Sequence, residues 1–516
     1  MNGDYDVVVV GFGPSGAVAA ALLGQAGVRT LVVDRTHEVY PKPRAIALDH
    51  EIMRVFQNLG LADAVSPHCE PFTPSEYYGV DGRMIKRLAT VEPPYPLGHT
   101  PSMVFTQPPV EAALRRHVQG LPGVDVVLGR RFTGVEQDDD GATVHFDEGS
   151  VRARYVIGCD GASSAVRDAV GITLEDLEFD EPWLVVDVQV NEQGLAKLPR
   201  TSVQYCEPAR PCTYVIGPGN HRRWEISLLP GEDPATMATE EGAWSVLRRW
   251  IGPEDATLWR QASYRFHALV AREWRVGRVF VAGDAAHQQP PFLGQGMCQG
   301  VRDVVNLTWK LRAVLGGEAP DSLLDTYTAE RREHVRRLTT RIKEIGAVIC
   351  ERDFSRAQAR DAALIDAAGG TIRTVPRQDI IPPLMEGLLA AGGRAGTGTL
   401  FPQPRVNGPT GPALLDELAG TGWRIVTDLR TAQLPPGLPA LAERLGMLIS
   451  IPADAEGFSS GPHRMQANEL DGVLARWFAR HGCHAAVVRP DHYVYGVAAD
   501  GAGLYDLVAN LTNSLS

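Results

Sequence analysis

The sequence predicts an α/β protein: a Rossmann-like dinucleotide-binding domain, a β-sheet domain interleaved with it, and a small α/β unit appended at the carboxy-terminal end. Three observations carry this expectation. Gly11-Phe12-Gly13-Pro14-Ser15-Gly16 stands between a valine-rich run and a helix-favouring segment, and residues 183 to 266 alternate apolar and polar side chains. A glycine- and proline-rich stretch, 366 to 412, then precedes a second series of strand-like and helical segments. The 516 residues allow roughly three domains at about 150 residues each.

Tyr5 to Val10 is a short apolar run that reads as a buried strand, and Ala17 to Gln25 favours helix. Between them Gly11 permits a tight turn, Gly13 lets the backbone approach a pyrophosphate at the helix N-terminus, and Gly16 allows helix and strand to pack closely. A second apolar run, Thr30 to Val33, ends in Asp34, an acid about 20 residues beyond the glycines, as ribose binding requires. The prolines of Tyr40-Pro41-Lys42-Pro43-Arg44-Ala45 then rigidify a segment that offers Arg44 to a cofactor or phosphate. Pro71, Pro74, Pro94, Pro96 and Pro101 break the regular βαβ alternation with which an NAD dehydrogenase would continue.

Two further strand-and-turn segments follow. Arg154 to Gly158 leads into Cys159-Asp160-Gly161-Ala162-Ser163-Ser164-Ala165-Val166-Arg167. Arg278 to Ala282 leads into Gly283-Asp284-Ala285-Ala286-His287, then Pro290 and Pro291, and the turn Gly294-Gln295-Gly296 opens a helix that runs through Lys310. A glycine-rich turn at a helix start directs backbone N–H groups at an anion or a polar ring. Between these segments, Ser202-Val203-Gln204-Tyr205, Thr213-Tyr214-Val215-Ile216 and Trp224-Glu225-Ile226-Ser227-Leu228 read as strands of a sheet with one solvated face. A charged helix spans Leu323 to Ile345, and the tail alternates from a strand at Trp423 to Thr427 to a last one around Tyr493 to Val497.

Composition excludes several classes. With 50 basic and 62 acidic residues the net charge is -12, against a phosphate-reading surface, so no nucleic-acid partner is expected. A mean hydropathy of -0.12 is unlike that of a membrane protein. The seven cysteines are scattered and form no CxxC, and no HExxH occurs, so neither a disulfide framework nor a metal site is expected. The start lacks the basic region of a secretory signal, and the expected compartment is the cytoplasm.

Taken together, GFGPSG with Asp34, CDGASSAVR at 159 to 167 and GDAAHQQPPFLGQG at 283 to 296 resemble the FAD-dependent aromatic hydroxylases of the para-hydroxybenzoate hydroxylase type. The match spans roughly residues 5 to 345, with the motifs in the family's order. Pro43-Arg44-Ala45-Ile46, Trp183-Leu184-Val185-Val186-Asp187, Pro208-Ala209-Arg210-Pro211 and Asp303 to Leu311 make the chain look most like the 3-(3-hydroxyphenyl)propionate hydroxylases. The resemblance implies an FAD-binding domain in three parts (1-74, 106-178 and 273-395), a substrate domain in two (75-105 and 179-272), and a thioredoxin-like domain at 396-516. It implies a monooxygenase in which NADH or NADPH reduces the flavin and O2 adds at C4a, the hydroperoxide passing a hydroxyl to a phenolic ring.

Residue by residue, the resemblance gives Gly11, Gly13, Pro14, Ser15 and Gly16 to the FAD pyrophosphate, Asp34 and Arg35 to the adenosine end, and Arg44 and Gln107 to the middle of the cofactor. Asp160, Gly161 and Arg167 would serve FAD and NAD(P)H. Gly283 and Asp284 would meet the ribityl chain, while Pro291, Gly294, Gln295, Gly296 and Met297 would lie by the isoalloxazine. Arg44, which could help the flavin swing, and Pro291 are the catalytic candidates. His287 is assigned a structural role, and Cys298, where many relatives carry Asn, none.

For the substrate the candidates are Tyr205, Arg210, Tyr214 and Trp224, with Arg210 as a bidentate carboxylate partner, although aromatic residues on a strand are more often plain core and an arginine between prolines is more often solvated. A larger polyphenol, a halogenase or oxidase on the same scaffold, and a flavin redox sensor are alternatives, although the WxWxIP motif of halogenases is absent. The tail, lacking CxxC, has no dithiol chemistry and is left with packing or homodimer contacts.

Overall fold

The computed structural model describes residues 4–452 and 457–515; Met1 to Gly3, at the start of the expected first segment, lie outside the described residues. The valine run forms the strand Tyr5–Val10, which pairs in parallel with Thr30–Asp34 on one side and Ser150–Gly158 on the other. Val124–Leu128 and Val279–Val281 extend this sheet outward, so four segments far apart in sequence share one parallel layer around the first strand. Parallel strands need helices on their faces. Pro14–Gln25, Gln107–Gln119 and Gly296–Leu315 supply them, and the helix Pro14–Gln25 is buried along most of its length because its face residues are Gly, Ala, Val and Leu.

A second sheet of nine strands is built mostly from the alternating region. Its order runs from His287–Gln288 through Ala256–Ala271, Leu174–Val190, His221–Ser227, Cys212–Ile216 and Ser202–Tyr205 to Ser75–Tyr78, Met84–Ala89 and Thr374–Pro376. The proline-rich region around residue 80 therefore contributes two strands of this sheet, joined in antiparallel register and docked in parallel on Ser202–Tyr205. Propensity alone hid them, since these strands are four and six residues long between prolines.

In the tail, Arg424–Thr427, helix Leu438–Leu445 and parallel strand Met447–Ser450 form a βαβ unit. The hairpin Ala485–Val488 and Val494–Ala498 and helix Gly501–Leu515 complete it, with Ala485–Val488 antiparallel to Arg424–Thr427. The expected small α/β unit is present, its first expected strand beginning one residue later, at Arg424, and its last shifted by one residue to Val494–Ala498.

Buried charge fastens the tail to the rest. Arg54, on the helix His50–Asn58, donates to both oxygens of Asp416 at 2.6 and 2.9 Å and to the Phe401 carbonyl at 2.6 Å, while Arg424 donates to Asp416 at 2.5 Å. Burial would raise the Asp416 pKa, but the Arg54 and Arg424 charges outweigh it and hold the carboxyl far below its usual range. A second cluster joins Arg489 to Glu330 and Asp491, with Lys310 donating to Glu330 at 2.8 Å. All these side chains are at most 1% exposed. Removing one member of such a cluster leaves an uncompensated buried charge. Asp416→Ala is expected to lower unfolding stability by about 3–5 kcal/mol in urea titration; a loss below about 0.5 kcal/mol, the scale of an ordinary surface change, would contradict this account of the docking.

Candidate functional site

The strand Tyr5–Val10 ends where three turns converge. Gly11 N donates to Val33 O at 2.7 Å, Cys159 N donates to Val10 O at 2.7 Å, and Ala282 N donates to Gly158 O at 2.9 Å, so the ends of three parallel strands stand side by side. The helix Pro14–Gln25 starts there with no side-chain cap, leaving its first N–H groups for a ligand. Glycine is required by contact at two positions. A Cβ on Gly11 would lie 2.3 Å from the Cys159 carbonyl oxygen, and one on Gly16 would lie 1.9 Å from the Gly11 carbonyl oxygen. Gly13 differs: a Cβ there meets nothing within 4 Å, and the same holds for Gly161 and Gly296.

The open space beside those glycines is a cavity of about 850 Å³. It brings together Gly11, Gly13, Pro14, Ser15, Asp34, Arg35, Arg44, Gln107, Asp160, Gly161, Asp284, Pro291, Gly294, Gly296 and Met297. The Asp34 carboxylate is fixed at the mouth by Phe12 N at 2.6 Å and by the Thr36 amide and hydroxyl, each at 2.7 Å. Gln107 accepts from Ala45 N at 2.6 Å and so holds the segment after Arg44, whose guanidinium lies 4.9 Å from the Tyr40 ring. Asp160 spends its carboxylate on Ser164 at 2.5 Å and Val166 N at 3.1 Å, which leaves its backbone, with Gly161, to face the cavity. Asp284 opens to the cavity, and burial raises its pKa against the pull of His287 and Arg44.

Four cofactor candidates do not line the space. Gly16 is closed off by its contact with Gly11, and Gly283, 2.8 Å from Ser15 Oγ for an added Cβ, packs beneath the turn. Gln295 accepts from Arg302 at 2.9 Å, away from the cavity. Arg167 donates to Ala162 O at 3.0 Å and Ala285 O at 3.3 Å, so it fastens two of the motifs to one another. Among the described residues the His287 ring meets no backbone group; its Nε2 pairs with Asp303 at 2.8 Å, and the ring stacks on Trp274. Cys298 is buried, with Sγ 3.8 Å from Ala47 O.

The four substrate candidates lie elsewhere. Register places Tyr205 opposite Cys212 and Tyr214 opposite both Val203 and Trp224, all on the sheet face covered by Trp244, Leu247 and Trp250. Tyr214 and Trp224 are fully buried there with ring centroids 5.0 Å apart, and Tyr205 accepts from Trp250 Nε1 at 3.2 Å. Arg210 is taken up by both oxygens of Glu232, at 2.6 and 3.0 Å. None of the four lines the cavity. Side chains alternate across a strand, so a choice one residue off selects the opposite face.

The face that does meet the cavity carries Arg223 and Glu225. Glu225 sits in a row with Val185, Thr213, Gln204 and Tyr77 on successive strands. Arg223 is neutralised by Asp187, at 2.7 and 3.1 Å, and donates to Arg44 O at 2.7 Å. Gln289, also at the cavity, has both amide atoms buried and unpartnered. Sequence reasoning missed Arg223 and Glu225; the available signal was their alternation with Trp224 and Ile226, which marks a second, polar face.

An elongated polar cavity with an uncapped helix start, glycines whose missing Cβ atoms would fill it, and an orphaned buried amide fits a dinucleotide such as FAD. The chain is an FAD-dependent monooxygenase of the aromatic hydroxylase type: residues 4–342 match the FAD binding domain family, to which it belongs, and residues 398–513 match the HcaD C-terminal domain. It is 39% identical to the "Probable NADH-specific resorcinol 4-hydroxylase" of Rhodococcus jostii (strain RHA1), over 99% of this chain and 95% of the relative. It is 33% identical to the "3-(3-hydroxy-phenyl)propionate/3-hydroxycinnamic acid hydroxylase" of Mycobacterium sp. (strain JLS), over 96% of this chain and 89% of that one. Its fold is similar to that of the flavin-dependent monooxygenase PieE, solved with FAD and substrate, at a TM-score of 0.80 and 22% identity, covering 99% of this chain and 100% of PieE. Among the described residues no helix is long and apolar enough to cross a membrane, and no group of three or more His, Cys, Asp or Glu could hold a metal.

The glycine contacts separate folding from binding. Gly13→Ala, at φ -72°, is expected to melt like the parent without cofactor but to bind FAD about tenfold or more weakly, since its methyl enters the cradle. Gly16→Ala is expected to lower the melting temperature of the cofactor-free protein itself. Equal FAD affinity in Gly13→Ala, measured by flavin fluorescence titration, would contradict the placement.

Burial, opposed by Arg223 and reinforced by Asp187, pushes the Glu225 carboxyl up to about 7. A carboxyl pKa raised by folding leaves stability unaffected below the unfolded value and erodes it as pH rises toward and past 7. Glu225→Gln therefore gains stability over the parent between pH 5 and pH 8, by up to about 3 kcal/mol; a stability difference that does not change across that range would remove the shift.

Proposed function

We propose that this chain hydroxylates a small, uncharged phenol of the resorcinol type, with NADH as reductant and O2 as oxidant. FAD, when bound, supplies reduction by the nicotinamide and activation of O2. The N–H groups at the start of the helix Pro14–Gln25 would hold its pyrophosphate and Asp34 its ribose. Pro291 and the Gly294 to Gly296 turn would bound its ring end, and Arg44, whose carbonyl accepts from Arg223, also lines the cavity that would hold it.

The observation that carries the choice of substrate is the charge of the cavity wall. On the sheet side of the cavity, Arg223 is matched by Asp187, Arg210 lies away from the cavity in a pair with Glu232, and the Glu225 carboxyl, 3.9 Å from Arg223, accepts no hydrogen bond among the described residues. A carboxylated phenol would meet like charge there, whereas a neutral dihydroxybenzene meets a hydrogen-bond acceptor. The name of the Rhodococcus relative supports the same substrate and NADH. We place the protein in the cytoplasm, where its seven free cysteines stay reduced.

The test follows NADH and NADPH oxidation by the FAD-loaded protein with resorcinol, 3-(3-hydroxyphenyl)propionate and 4-nitrophenol, with product measured. Resorcinol is expected to accelerate NADH oxidation by about tenfold or more over the phenol-free rate and to yield trihydroxybenzene in matching amount. Turnover of the propionate alone would reverse the charge reading, and no product from any phenol would remove the hydroxylase.

A further inference from the structure

We propose that Glu225 is the catalytic group that takes the proton of the substrate's phenolic hydroxyl. This rests on the phenol-hydroxylation reading above and names a residue for it. Four observations carry the assignment. Glu225 projects from the strand His221–Ser227 onto the sheet face that lines the cavity, opposite the face of Tyr214 and Trp224. It is 4% exposed, yet among the described residues no hydrogen bond reaches its carboxyl; the nearest cation, Arg223 Nη1, is 3.9 Å away and engaged with the Arg44 carbonyl. A buried carboxyl without a partner is costly, and one at a cavity wall points to a ligand that completes it.

The third observation is position. Trp183 lies two residues before Val185, which pairs with Glu225, so it occupies the same face one row along. The Pro291–Leu293 turn reaches that row, with the Phe292 ring 5.5 Å from Trp183. Glu225 therefore stands near the end of the cavity bounded by Pro291, with Arg44 linked to its neighbour Arg223. The fourth is the remaining inventory of acids on the cavity. Glu111 is paired with Arg115 and Gln107, Asp34 and Asp160 are tied to backbone and hydroxyl donors, Glu38 is exposed on the segment just after Asp34, and Asp284 lies at the start of its own turn by the first glycine motif.

In the step, the phenolic O–H bond breaks, its electron pair stays on the phenol oxygen, and the proton forms a new O–H bond on a Glu225 carboxyl oxygen. No oxidant is consumed; the product is a phenolate, whose ring is the better nucleophile. The charged groups facing Glu225 are Arg223 on its own strand, Asp187 on Leu174–Val190 and Arg260 on Ala256–Ala271. Burial with this set lifts the carboxyl to about 7, which narrows its pKa gap to a phenol from about six to about three and keeps it ionised in mildly alkaline solution.

The experiment uses the FAD-loaded parent, Glu225→Gln and Glu225→Asp, with resorcinol as probe and two readouts. One is the ultraviolet difference spectrum of bound resorcinol against pH, which reports phenolate without turnover. The other is the pH profile of kcat for resorcinol-dependent NADH oxidation. The parent should show bound phenolate and a rising kcat limb near pH 7. Glu225→Gln should lose both, with kcat down about thirtyfold or more and KM within about threefold, and Glu225→Asp should restore the limb. Phenolate and an unchanged limb in Glu225→Gln would overturn the assignment while leaving the hydroxylase reading intact. A parent that neither binds nor hydroxylates any phenol would overturn both.

Discussion

One buried carboxylate, Asp303, holds together the turn and the two helices behind one end of the cavity. It accepts from Gly283 N at 2.9 Å, pairs with His287 at 2.8 Å and accepts from Arg331 Nε at 2.9 Å. Burial alone would raise its pKa, but the charges of His287 and Arg331 keep it below the usual range. Three elements meet at this one side chain: the Gly283-Asp284 turn, the helix Gly296–Leu315 on which Asp303 sits, and the helix Thr326–Cys350 that supplies Arg331. Beside it Arg302 reaches Asp49, Glu51 and Gln295, and Tyr493 of the tail donates to Glu51 at 3.1 Å. The cavity, the long helices and the appended unit are thus joined by one continuous polar interior.

Such an interior is unfavourable to assemble piecemeal, because each ion must lose its water before its partner arrives. Once complete it leaves few alternatives, since a shift of any helix would strand a charge. That gives the tail a physical role without dithiol chemistry: through Arg489, Asp491 and Tyr493 it supplies counter-charges and hydrogen bonds to helices that position the Gly283-Asp284 turn. On the other side of the cavity the sheet provides contrast. One face is closed by aromatic packing, and the other presents a polar row to the cofactor space.

The nucleotide half was legible in sequence because its constraints are local. Gly11, Gly13 and Gly16 stand within six residues as one recognisable turn, and the strand before and helix after them follow from periodicity. The tail was legible for the same reason, its strands and helices being separated by clear glycine and proline breaks. What escaped was set by contacts distant in sequence. The strand Ser75–Tyr78 is held by Ser202–Tyr205 and the strand Met84–Ala89 by Thr374–Pro376, each more than 100 residues away, and not by their own propensity. The sheet's cavity face escaped through parity: Tyr214 and Trp224 drew attention as aromatic residues, while the neighbouring Arg223 and Glu225 face the cavity. Arg210 escaped because a guanidinium's partner, here Glu232, cannot be read from spacing.

The most direct measurement is a crystal structure of the FAD-loaded protein with resorcinol. The account places the FAD pyrophosphate at the start of the helix Pro14–Gln25, its ring beside Pro291, and a phenolic oxygen within hydrogen-bond distance of Glu225. A phenol seated against Tyr205, Tyr214 or Trp224, or a cofactor lying outside the cavity formed by the three turns, would contradict it.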